Sequence, residues 1–167
     1  MSGTTKGLQL RSLIKKSGEL ELSLAEVPIP EPRSLPGLGR GRGNADQPVR
    51  SLLLGPADMS TAKASGSGAA ITITAKVSEQ ALPFIAARLD QAMPVGNEGA
   101  GTVIKASSSE AAQALLGKIV SMIGGAMYAQ YRLLKATDCQ PLPAGTTAAD
   151  GASWFVNPLT ALGMPRR

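Results

Sequence analysis

Polar and apolar residues alternate in two runs near the start of the chain. Leu8 and Leu10 alternate with Gln9 and Arg11; past a Ser17-Gly18 turn signal, Leu20, Leu22 and Leu24 alternate with Glu19, Glu21 and Ser23. A period of two marks a half-buried strand, so the pair predicts an antiparallel hairpin. Val27-Pro28-Ile29-Pro30-Glu31-Pro32 ends it in extended, proline-stiffened chain. Ile71 and Ile73 alternating with Thr72 and Thr74 predict another strand, as do Val103-Ile104, Gly117 to Ile123 and Met127 to Leu134. Residues 60–69 are small and polar and predict a loop. Ser78 heads an Ala/Leu/Ile-rich stretch to about Ala92 that predicts a helix with Pro83 in its first turn, and Ser108 to Leu116 predict a short helical or turn excursion. Thr147 and Asp150 have the spacing of a helix N-cap and its third residue. The apolar stretch Ala148 to Met164 follows, interrupted by Pro158. A helix so apolar needs cover on several sides.

Residues 33–50, RSLPGLGRGRGNADQPVR, follow neither period. They read as a flexible basic loop, long for a compact domain. This segment changes the meaning of the net charge of +5. Arg33, Arg40, Arg42, Arg50, Arg166 and Arg167 lie in it or at the last two positions, with Asp46 the only acid among them; elsewhere the signs balance at eleven each. The basicity is local, and aromatics make up only 3% of the chain, so stacking platforms for nucleic-acid bases are few.

One cysteine, Cys139, and no histidine exclude an internal disulfide, a multi-ligand zinc centre and a Ser-His or Cys-His nucleophile. Cys139 reads as a small, partly buried residue near Pro141. No run approaches the roughly 18 apolar residues of a membrane span, and no signal-peptide pattern opens the chain, so cytoplasmic localisation is expected.

The most specific local pattern is Gly96-Asn97-Glu98-Gly99-Ala100-Gly101-Thr102-Val103. It leads into a strand, whereas a dinucleotide fingerprint opens a helix, so it is not one. The glycines of 37–43 also lack that spacing. Taken in order, the chain's motifs resemble the medium-chain dehydrogenase/reductase superfamily. Leu20 to Pro32 resembles its second strand and Pro-rich exit, and residues 96–103 its Gly-His-Glu-x-x-Gly-x-Val signature. Gly117-Lys118-Ile119-Val120 resembles its Gly-Asp-x-Val strand, and Tyr128-Ala129-Gln130-Tyr131 its Tyr-Ala-Glu-Tyr strand. Leu142-Pro143 and Asn157-Pro158-Leu159-Thr160-Ala161 resemble the segment entering its interdomain helix. The resemblance covers about 7–32 and 51–164.

The resemblance implies a mainly β fold with short helices: a GroES-like, partly open β-barrel over residues 1–164, whose C-terminal helix leads toward a Rossmann domain that is missing. It implies a substrate-side domain of an NADPH- or NADH-dependent oxidoreductase. Asn97 stands where zinc alcohol dehydrogenases place a histidine ligand, so no metal is expected and the quinone and enoyl reductases are the closer relatives. Their hydride transfer rests on positioning and polarisation of a small-molecule substrate. Thr160 matches a position near the nicotinamide and Asn157 is its neighbour one helical turn earlier, so both are the expected cofactor-binding residues, with helix termination and capping around Pro158 as their other role. Glu98 matches a glutamate beside the active site, here expected to hydrogen-bond structurally. The catalytic residues stay unknown. The intact family implies a homodimer.

Residues 33–50 replace a strand and a Pro-Ile-Asn-Pro-Ser-Asp-like active-site loop of the family. With permitted codons, Asn44 to Ser51 read one nucleotide later encode Thr-Pro-Ile-Asn-Pro-Ser-Asp, which points to a shifted reading frame. Residues 165–167 read as a truncated tail. The expectation is an inactive fragment that binds no cofactor alone and aggregates through open sheet edges and an uncovered apolar helix. The competing class is a basic module binding RNA or another acidic partner through residues 37–50. A third is a subunit that borrows a cofactor domain from a partner chain.

Overall fold

The structure, a computed structural model, describes residues 6–31, 38–41 and 54–163. Ten strands in two open five-stranded sheets dominate the described residues, with a few short helices. The expected mainly β architecture is the observed one.

The first sheet runs in the order β4-β5-β2-β1-β6. The predicted hairpin is β1 (Lys6–Lys15) and β2 (Glu19–Pro28), paired from Lys6↔Pro28 to Lys15↔Glu19. Its alternation places Ile14, Leu20 and Leu22 in a core with Ala75 and Val77 of β5 (Thr72–Val77). Ile14 and Leu20 are fully buried, and each such side chain contributes about 1.5–3 kcal/mol. The segment 60–69, expected to be a loop, is instead largely strand: β4 spans Ala57–Ser65 and pairs with β5 around a bulge between Asp58 and Lys63. The Asp58 carboxylate accepts from the Ser60 N–H and hydroxyl, and the Thr61 hydroxyl accepts from the Lys76 N–H at 2.8 Å. An edge strand exposed on both faces needs no apolar alternation, which is why the pattern hid it.

The helix expected after Ser78 is a run of 3-10 turns over Glu79–Arg88, kinked at Ile85, with Pro83 inside. Proline supplies no N–H for an α-helical ladder. Ala81, Leu82, Ile85 and Leu89 still pack on the first core.

The second sheet has the order β10-β8-β7-β3-β9. β7 (Glu98–Lys105) contains the whole glycine-rich signature from its glutamate onward and pairs with β8 (Ile119–Ile123). β3 (Leu38–Gly41) lies between β7 and β9 (Tyr131–Leu133), so part of the segment read as a loop is strand. Ladder hydrogen bonds come from the backbone, so this slot accepts a stretch without strand-like side-chain pattern. The rest of 33–50 and the tail 165–167 lie outside the described residues. β10 (Cys139–Pro141) and the two-residue β6 (Met93–Pro94) complete the strands. Val103, Val120, Met122, Met127 and Leu134 form the second core, with Leu115 from the turn after α1 (Glu110–Gln113).

β1 stitches the sheets together. The Leu10 N–H donates to the Tyr128 carbonyl at 2.8 Å and the Gln130 N–H to the Leu8 carbonyl at 2.9 Å. Among the described residues the end strands of each sheet, β4 and β6 in the first and β10 and β9 in the second, have one strand neighbour each, so neither sheet closes into a barrel.

The apolar stretch 148–164, expected as one interrupted helix, is two helices: α2 (Ala148–Gly151) and α3 (Val156–Gly163). Pro158 is the third residue of α3, in the first turn, where its missing N–H costs no intrahelical bond.

Candidate functional site

The site is built from β7 and α3. Leading into β7, Gly96 has φ 95°, and a Cβ there would lie 2.8 Å from the Tyr128 backbone nitrogen and 3.0 Å from that of Met127. Only glycine fits both the angle and the space. The close approach lets the chain on either side of Gly96 bond to 124–128. The Tyr128 N–H donates to the Val95 carbonyl at 3.1 Å, the Met127 N–H to the Gly96 carbonyl at 3.2 Å and the Gly124 N–H to the Asn97 carbonyl at 2.9 Å. Between these ties sits Asn97, whose side-chain oxygen is buried without a hydrogen-bond partner.

One residue on, Glu98 is buried, only 5% exposed. One of its carboxylate oxygens accepts from the Phe155 N–H at 3.0 Å and the Val156 N–H at 2.8 Å. It therefore caps the start of α3 with a negative charge at the positive end of the helix. The structural hydrogen-bonding role expected for Glu98 is what it performs; its partners, 57 and 58 residues away, have no signal in the sequence. α2 leads into this junction. The Thr147 hydroxyl accepts from the Asp150 N–H, and the Asp150 carboxylate accepts from the Thr147 N–H and hydroxyl: the predicted cap in reciprocal form. Those bonds, the one from the hydroxyl first, hold the Asp150 carboxyl below its ordinary value. Gly151 is packed so closely on Leu142 and Ala100 that a Cβ would collide with Leu142.

Asn157 and Thr160 lie three positions apart on α3, hence on neighbouring turns of one face. Asn157 is half-buried and Thr160 exposed. The Thr160 hydroxyl donates to the Val156 carbonyl at 2.6 Å, one turn back. No residue of α3 is buried; Leu159 is 56% and Leu162 82% exposed, with Trp154 partly exposed just ahead.

Cys139, in β10, packs against the second core, and burial first, then the nearby Asp138 charge, pushes its thiol up to about 11. That removes it as a nucleophile at neutral pH. No cluster of His, Cys, Asp or Glu that could hold a metal exists among the described residues, and no helix among them is long and apolar enough to cross a membrane. Arg42 and Arg50 of the basic segment lie outside the described residues, and Arg40 contributes its backbone to β3.

No protein-family model and no curated protein sequence matches the chain. Solved structures do. A candidate NADPH:quinone reductase from Mesorhizobium loti superposes with TM-score 0.52 at 20% identity, over 97% of this chain and 44% of that one. Another from Bacillus thuringiensis gives 0.63 at 18% identity, over 95% and 40%. The chain thus spans less than half the length of these neighbours. At such identities the likeness establishes the fold alone: this chain has the mainly β fold that these two structures share with it over less than half of their length.

Proposed function

We propose that this chain serves as the substrate-side part of an NADPH-dependent oxidoreductase of the quinone- or enoyl-reductase kind, working without a metal. The observation that carries the reading is the Glu98 cap, which ties the glycine-rich strand to the helix bearing Asn157 and Thr160. It holds together the two elements that the resemblance assigns to the border between substrate and nicotinamide. The reaction class comes from the structural neighbours, which are described as NADPH:quinone reductases.

NADPH, when bound, would supply the hydride. This chain's residues fit one wall of a nicotinamide site and not a pyrophosphate site. The start of α3 is already occupied by the Glu98 carboxylate, whose charge would repel a phosphate. Asn157, on the exposed helix α3, would orient a carboxamide, and the buried, unpartnered oxygen of Asn97 would offer an acceptor near the start of β7. The exposed apolar side of α3, with Leu159 and Leu162, offers the surface against which a cofactor domain would close and exclude water. On this reading the chain alone neither binds NADPH nor turns over, and the domain is supplied by further sequence or by a partner chain. Residues 33–50 are read as a shifted frame in the coding DNA. A sequence of that DNA in which the alternative frame does not continue as a strand and an Asn-Pro-Ser-Asp-like loop removes that part of the proposal.

The test is amide chemical-shift mapping with a soluble quinone and with NADPH, alongside a turnover assay. Quinone is expected to move the signals of 96–98, 156, 157, 159 and 160, NADPH to move none, and the assay to stay at background. Turnover by the pure chain, or quinone shifts confined to other residues, sinks the reading.

A further inference from the structure

A cleft of about 300 Å³ opens between β1, the exit of β2 and β9, a size within the range of small-molecule sites. It contains neither Asn157 nor Thr160, and its case does not depend on the reductase reading. Its lining combines the polar residues Gln9, Arg11, Tyr131 and Arg132 with an apolar wall that includes Val27, Ile29 and Leu133. No aspartate or glutamate lines it among the described residues. The acids at the end of β2 are already engaged: Glu26 with Lys6 at 3.1 Å, and Glu31 with Lys105 at 2.7 Å.

The two guanidinium groups are poorly satisfied. Among the described residues Arg11 makes one hydrogen bond, from Nη1 to the Ala92 carbonyl at 3.3 Å, and its Nε is buried without a partner. Arg132 is half-buried, its Nε is also buried and unpartnered, and it makes no side-chain hydrogen bond or ion pair with any described residue. Gln9, beside them in the lining, is only 6% exposed. Burial lowers the Arg132 pKa, the sign of a cation held away from water without a counter-charge. Structural arginines at such burial are normally paired, because unpaired charge in a low-dielectric site is costly. Two arginines with buried, unpartnered Nε atoms on one cleft therefore call for an oxyanion, and the guanidinium fork suits a carboxylate bidentately. Val27, Ile29 and Leu133 decide between anions: inorganic phosphate would leave this wall wet, whereas a carboxylate with an apolar body covers it.

We infer that the cleft between β1, the β2 exit and β9 binds a small amphipathic carboxylate, its charge met by Arg11 and Arg132 and its apolar body lying along Val27, Ile29 and Leu133.

Titrating the intact chain with octanoate, 1-octanol and inorganic phosphate, followed by amide chemical shifts, tests this. Octanoate is expected to shift residues 9, 11, 27, 29 and 131–133 and to bind at least about tenfold more tightly than either other probe, a charge-assisted contact being worth that factor or more. Arg11→Gln/Arg132→Gln, checked for an unchanged fold by its amide spectrum, should lose about that factor for octanoate and little for octanol. Equal affinity for octanol marks a merely greasy cleft, and equal affinity for phosphate a bare anion hole; either overturns the inference. So does the absence of cleft shifts in the unmodified chain up to about 10 mM octanoate, far weaker than a built site allows, an outcome that needs no variant to fold.

Discussion

Glu98 shows what one residue does when a motif places it and the tertiary fold supplies its partners. Its carboxylate closes two N–H groups that the start of α3 would otherwise leave open. Glu98→Gln keeps the shape and one acceptor oxygen but removes the charge, and should cost about 1 kcal/mol. Glu98→Ala strips both N–H groups of their acceptor and should cost about 2–4 kcal/mol. Urea unfolding reads the difference; two variants equal to wild type would show the cap to be idle. The residue was legible as a member of the glycine-rich signature, and so was the need for glycine beside it. The cap was not legible, because pairing across 57 residues depends on where α3 lands. Arg11 and Arg132 were less legible still: in sequence, Arg11 is the polar half of an alternating strand, and only the fold reveals that this face is turned inward.

At the scale of elements, legibility followed how many faces an element buries. The β1–β2 hairpin buries one face and declared itself by alternation, and the cap of α2 declared itself by residue type and spacing. β4 buries little and β6 has two residues, so neither carries a pattern. β3 is held by its neighbours' backbones. The α2 cap has a pH consequence. The bonds from Thr147 depress the folded-state pKa of Asp150 below its unfolded value near 3.8. The ionised form therefore favours folding: the contribution is full above that value and is lost as pH falls through the lower, folded one. Melting temperatures of wild type and Asp150→Asn should accordingly converge as pH drops below 3.8. Asp58 and Asp90 are also held low by hydrogen bonds, from Ser60 and Lys16 respectively, so the difference between the two proteins, not the wild-type curve, carries the information. A gap that persists unchanged into the acid range would place the effect of Asp150 elsewhere than in the cap.

At the scale of the molecule, the mainly β class was legible from strand periods and motif order, whereas the sheet orders were not, because β3 and β9 pair across some 90 residues of sequence. What the whole fold leaves on its surface is an apolar helix. Leu159 and Leu162 stand 56% and 82% exposed on α3, and Phe84 is 90% exposed on the 3-10 run. Exposed leucines at a spacing of three share one helical face, and such a face without cover favours self-association. Leu159→Lys/Leu162→Lys replaces that face with charge at positions that contribute little burial to the fold. Stability to urea should therefore stay within about 0.5 kcal/mol of wild type, while the concentration at which the chain begins to aggregate, followed by light scattering, should rise. The two readouts separate two roles for α3. Loss of stability together with unchanged aggregation would mean that the helix face packs within the chain in solution. Retained stability with improved solubility would mean that the face is held open, as a surface meant to be covered by another domain must be.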